Sequence, residues 1–160
     1  MCKQLVAVAC FNFLLVASAT ADSDVDALIE FDLLGAWAVD CAKPPSRANL
    51  HVAFAIRNRT PTRTVRANGS SETMVMRNLR ITAPDRLVYY LGGASKESSY
   101  NMMVAKIGEE IRSHETVRAD GAVIIKNGKF VASGEPTRLF QRCSHQISAN
   151  GTDRSCERCV

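Results

Sequence analysis

The chain reads as a single-domain, all-β, antiparallel protein, and three observations predict this. Between Gly35 and Gly134, short runs of alternating apolar and polar residues follow one another at roughly the 8 to 12 residue spacing of sandwiches and barrels. Turn formers separate the runs. Pro44-Pro45, Pro61 and Pro84 remove ladder donors, whereas Asn68-Gly69, Asp120-Gly121 and Asn127-Gly128 accept positive φ in tight hairpins. No segment in this span sustains the period of about 3.6 residues that crossover helices need, which disfavours a parallel sheet.

The elements follow in order. Lys3, the apolar run from Leu5 to Ala17 and the small-x-small box Ala19-Thr20-Ala21 predict a signal peptide over residues 1–21, cleaved after Ala21. A membrane anchor and lipidation at Cys10 are its rivals. Asn12 interrupts the run, which falls short of the roughly 18 to 20 apolar residues a crossing helix requires. Lipidation would leave only Leu5 to Ala9 as the apolar core. The expectation is a mature chain without a transmembrane anchor, periplasmic or secreted.

Residues 22–34 are predicted to form an acidic amphipathic helix. Val25, Leu28, Ile29 and Leu33 recur at helical spacing, Ser23 or Asp24 can cap its start, and Gly35 ends it. A β domain over residues 35–143 follows, with strands expected near 36–42, 50–57, 62–67, 72–82, 86–92, 99–107, 110–119, 122–126 and 129–133. Asn127-Gly128 as a hairpin loop sets Lys126 opposite Lys129 and Ile125 opposite Phe130. After Pro136 the spacing of Leu139, Phe140 and Cys143 turns helical, predicting a short terminal helix. Residues 144–160 are polar apart from Ile147, Ala149 and Val160, and are expected to be a disordered tail.

The formal net charge is +4. Acids dominate the leader (Asp22, Asp24, Asp26, Glu30, Asp32, Asp40), and bases dominate the stretch after it (Lys43, Arg47, Arg57, Arg59, Arg63, Arg66, Arg77, Arg80). An exported chain does not meet nucleic acid, so the basic stretch reads as a solvated face or a contact for an anionic surface.

"GAWAVDCAKPPS", "RITAPDRLVYYL" and "RADGAVIIKNGKFVASGEPTRLFQRC" resemble small periplasmic proteins of alphaproteobacteria without an assigned activity. A short helix, Gly-x-Trp opening the first strand (Gly35, Trp37), a meander and a terminal cysteine are similar to calycins, the lipocalin-like barrels. The resemblance implies a meander closing into a small barrel of about 8–9 strands. Other lipocalin motifs are not evident. Trp37 would close one end beneath the helix with its indole N–H on a carbonyl, and Arg138 or Arg142 would stack on its ring.

Four cysteines follow the predicted cleavage site: Cys41, Cys143, Cys156 and Cys159. Export favours disulfides, and Cys41 at the end of the first strand is expected to pair with Cys143 near the end of the domain. Cys156-x-x-Cys159 is followed only by Val160, so no helix can activate its thiolate. His114 neighbours Ser113 and Glu115, which a strand points to the opposite face. No catalytic set, metal site or cofactor is therefore expected.

Arg57, Arg59 and Arg63 flank Pro61 and could form a fork for phosphate or carboxylate if the hairpin brings them together. Met74, Met76, Tyr89, Tyr100 and Met102 lie on strands whose faces could line a pocket, and methionine suits an adaptable one. Which face is inside is open. The leading expectation is an exported, non-catalytic binding module holding a small apolar or amphipathic ligand in a barrel. The alternatives are a protein-binding barrel, such as a protease inhibitor whose acidic N-terminal segment enters a partner's cleft, and an envelope protein binding anionic polymers. A connected cavity would favour the ligand, and a packed interior the alternatives.

Overall fold

The computed structural model describes residues 19–143, with side chains from Ser23 onward. The predicted signal peptide therefore falls largely, and the predicted tail with Cys156 and Cys159 wholly, outside the described residues.

Alternation does build the meander. After helix α1 (Ala19–Glu30) come β1 (Gly35–Ala38), β2 (His51–Arg57), β3 (Thr60–Ala67), β4 (Ser70–Ala83), β5 (Arg86–Gly92), β6 (Tyr100–Ile107), β7 (Glu110–Arg118), β8 (Val123–Lys126), β9 (Lys129–Phe130) and β10 (Phe140–Arg142). The sheet runs β10-β1-β2-β3-β4-β5-β6-β7-β8-β9, and an additional β10–β7 pairing closes it. The ring is an antiparallel barrel of 8 strands with β8 and β9 as 2 extra strands. Closure removes the free edges that would otherwise template aggregation.

Turn chemistry sets the register. Asn127-Gly128 places Ile125 opposite Phe130 and Lys126 opposite Lys129, with φ of 53° and 70° at the two loop residues. At the β7–β8 turn, the guanidinium of Arg118 holds the Asp120 carboxyl down to about 2, and the same carboxylate accepts from Ala122 N. Pro61 does not interrupt a strand as expected. It lies in β3 opposite Ile56, and the turn falls earlier, at Asn58 and Arg59, both at positive φ.

The terminal helix expected around Leu139, Phe140 and Cys143 is replaced over Phe140–Arg142 by β10. The reason is tertiary: this segment fills the seam between β1 (Trp37 opposite Arg142) and β7 (Phe140 opposite Ile111). Cys41 and Cys143 are joined by a disulfide beside that seam, and Cys143 N donates to Ala36 O at 2.8 Å.

Helix α1 plugs one end of the barrel. It begins three residues earlier than the predicted 22–34 and ends four residues earlier, because Asp32 at φ 51° turns the chain after Phe31. That turn drives Phe31 and Leu33 inward beside Leu28, and all three are buried, whereas Ile29, expected on the apolar face, is 52% exposed. Asp24 anchors the plug. Its carboxylate accepts from Asn78 N at 3.1 Å and Leu79 N at 2.8 Å, donors freed where β4 bulges at Asn78 (φ 55°). Asp24→Ala is expected to lower stability by about 1–2 kcal/mol in urea denaturation. Asp26→Ala, an exposed site on the same helix, should leave the midpoint unchanged.

Trp37 sits above the plug, 3% exposed, with Nε1 donating to Leu33 O at 2.9 Å. The Arg142 guanidinium lies 4.7 Å from its ring and pairs with Asp32 at 2.8 Å. Arg138 takes no part in this stack and donates to Arg47 O. Gly35 opens β1 at φ 119°, a conformation that suits glycine.

Candidate functional site

Register decides which face points inward. Arg63 lies opposite Phe54 on β2 and Met74 on β4; Met76 opposes Leu91, Tyr89 opposes Met102, and Tyr100 opposes Leu91. Directly opposed residues share a face. Phe54, Met76, Leu91, Tyr89 and Met102 belong to the buried core, with Met74 and Tyr100 partly buried against it. The barrel thus brings Met74, Met76, Tyr89, Tyr100 and Met102 onto its inner wall, and carries Arg63 with them.

The three arginines expected to form a fork are separated. Arg57, opposite Thr60, and Arg59 in the turn are exposed at the β2–β3 tip. Arg63 sits on the opposite face from Arg57, because its register partner is Phe54. Strand alternation contains the signal for this placement: Arg63 alternates in phase with Val65, whereas Thr62 and Thr64 share the other face.

The two ends of the barrel differ. Leu28, Phe31 and Leu33 fill the end where β1 begins and β2 finishes. At the other end no described helix packs across the inward residues Val65, Met74 and Tyr100, which are partly buried, as Ile56 and Ile81 are beside the plug. Between the ends the interior is packed, apart from a void of about 20 Å³ lined by Val52, Phe54, Arg63, Tyr89, Val104 and Ile111, with Arg112, Ser113 and Phe140 at its side. That volume falls well short of the roughly 300–1,000 Å³ of pockets that take drug-sized ligands.

The lining of this void is polar in a specific way. Arg63 Nε, Arg112 Nε and Tyr89 Oη are buried without a hydrogen-bond partner among the described residues. Arg112 was not foreseen as a site residue. It lies where β7 changes partner, between its pairing with β10 at Ile111 and with β8 at Thr116. Its guanidinium packs under the β8–β9 turn, where a Cβ on Gly128 would come within 2.4 Å of it. Local alternation carries no sign of such a change of partner.

Tyr89 is 3% exposed. Burial pushes its hydroxyl above the ordinary tyrosine range, while the positive charge of Arg63 pulls the other way. A raised folded-state value means that the unfolded chain ionises first. The contribution is intact below about pH 10 and is lost as pH rises through the folded-state value. In a native-state titration followed by tyrosinate absorbance, one component should ionise above the ordinary range and disappear in Tyr89→Phe.

The outer wall carries a separate open groove of about 360 Å³ over β4–β7, lined by Arg80, Val88, Tyr90, Met103, Glu115 and Val117 among others. No cluster of metal-ligating side chains occurs among the described residues. No described helix is long and apolar enough to cross a membrane. Comparison of the chain with protein families, characterised proteins and solved structures finds no match to any of them.

Proposed function

We propose that the protein is an exported, non-catalytic binding module that takes one small amphipathic molecule into the unplugged end of its barrel. The observation that carries this reading is the asymmetry of the ends. α1 seals one with Leu28, Phe31 and Leu33, whereas no described helix packs across Val65, Met74 and Tyr100 at the other. The packed interior is the outcome that favours the alternatives, so uptake of a ligand requires Met74, Met102 and Tyr100 to change rotamer. Methionine, unbranched and polarizable, does so at low cost. Export is supported by the leader pattern and by the Cys41–Cys143 bond, which suits an oxidising compartment.

The geometry weakens two rival routes. The acidic N-terminal segment cannot enter a partner's cleft while Asp24 is tied to β4 and Leu28 is buried in the plug. The arginine fork for an anionic polymer is not assembled. A protein partner retains one supporting observation, the groove beside Met103 together with the packed interior.

Titration with the uncharged dye N-phenyl-1-naphthylamine tests the proposal. Fluorescence should rise on binding to the wild type and fall when decanoate competes, with Met103→Arg behaving like wild type. No brightening, and no adduct in native mass spectrometry, would overturn the ligand reading.

A further inference from the structure

We propose that the void beside Arg63 and Tyr89 is an internal anion site, which takes a small monovalent anion or the carboxylate head of a longer molecule. This deepens the binding-module reading by assigning a charge to what the barrel takes, but its physical basis is independent of the open end.

The Arg63 guanidinium and the Tyr89 phenol face the void from the inner wall, whereas Arg112, opposite Ala105, borders it from the other face of β7 with its guanidinium under the β8–β9 turn; no carboxylate lines the void among the described residues. Among the described residues, Lys43 pairs with Asp40, Arg86 with Asp85, Arg118 with Asp120 and Arg142 with Asp32, and none of these carboxylates faces the void. Arg63 is half-buried, and its buried Nε–H lacks an acceptor; burying a polar donor without an acceptor is costly, so such groups are ordinarily paired. Here the register makes the arrangement unavoidable, since Arg63 lies between Phe54 and Met74 on the inner wall. Tyr89 is the independent sign of a ligand: it is 3% exposed and lines the void, and its hydroxyl has no partner among the described residues.

Size and donor chemistry narrow the occupant. A void of about 20 Å³ exceeds the roughly 10–15 Å³ needed to hold a water, leaving room for a halide-sized ion or one oxygen of a carboxylate, not for a bulky polyanion. Arg63 offers Nε–H and Tyr89 offers O–H, and a monovalent anion accepts both. A metal cation is excluded by the charge of the lining. An amphipathic acid would place its carboxylate here and leave its chain along Met102, Met74 and Tyr100 toward the open end.

Calorimetric titrations of the purified protein and of Arg63→Met with bromide, acetate, decanoate and decanol separate the outcomes. Arg63→Met should fold at least as well as wild type in anion-poor buffer, because it replaces an uncompensated charge by a side chain of similar length. The expected result is decanoate binding about tenfold or more tighter than decanol in wild type, with that preference abolished in Arg63→Met. Tyr89→Phe should weaken the preference in the same direction.

Equal binding of acetate, bromide and decanoate, all lost in Arg63→Met, would support the anion site with a free ion as its occupant, while overturning uptake of an apolar chain. Decanoate and decanol binding alike, indifferent to Arg63→Met, would overturn the anion site and leave the binding module standing. Absence of binding by all four compounds would overturn both.

Discussion

Trp37→Ala lowers stability by about 3–5 kcal/mol, the range for emptying a large aromatic site in a packed core. The ring joins the helix plug to the closing seam. It is buried in one cluster with Leu28, Phe31 and Leu33, its Nε1 holds the Leu33 carbonyl at 2.9 Å, and Arg142 of β10 covers its face at 4.7 Å. Alanine would remove the apolar contact, orphan that carbonyl and free Arg142 at once. Trp37→Phe separates these contributions: it keeps most of the buried area and loses the hydrogen bond, so about 1–3 kcal/mol is expected. Trp37 is the chain's only tryptophan, so unfolding of both variants is followed by circular dichroism. A loss below 1 kcal/mol for alanine, on the order of a surface substitution, would contradict the placement of the ring.

Cys41→Ser and Cys143→Ser each lower stability by about 2–5 kcal/mol, and the double substitution costs no more than either alone. The bond spans a sequence separation of 102, for which the chain-entropy account suggests about 4.7 kcal/mol before native-state adjustments. The position of the bond explains why the loss should reach the whole barrel. It fastens β10, only 3 residues long, beside β1, and β10 is the strand that links β1 to β7. Without the bond, a short strand must hold the seam by its own ladder bonds. Chemical denaturation under non-reducing conditions measures the change, and peptide mapping of the wild type should recover Cys41 linked to Cys143.

Much of this architecture is legible in residues close together in sequence. Asn127-Gly128 specifies its hairpin and register because both loop residues accept positive φ, and Leu87, Tyr89 and Leu91 alternate with Val88 and Tyr90 as β5 requires. What escapes is imposed from a distance. Phe140–Arg142 is too short to display alternation, and it becomes a strand because β1 and β7 offer open edges on either side of it. Arg59 occupies a positive φ of 60° in the β2–β3 turn, where arginine gives no local signal, so Pro61 draws attention to the wrong residue.

The site divides in the same way. Alternation separates the two faces of β5 and β6, but only closure and the helix plug decide that Tyr89 and Met102 face inward while Val88 and Met103 face the outer groove. Arg63 reads as one of three surface arginines until its pairing with Phe54 is known. Arg112 depends on β7 exchanging β10 for β8, a switch that belongs to the topology and not to any local pattern.

The central claim is that the inner wall, not the outer groove, is the working face. Methionine provides a reporter on each: Met74 and Met76 belong to the inner wall alone, Met103 lines the groove, and Met102, inward by register, also borders the groove. With methyl-labelled methionine, titration of decanoate into the protein should shift the methyl resonances of Met102 and Met74 while leaving Met103 in place. A shift of Met103, with Met74 unmoved, would contradict the account.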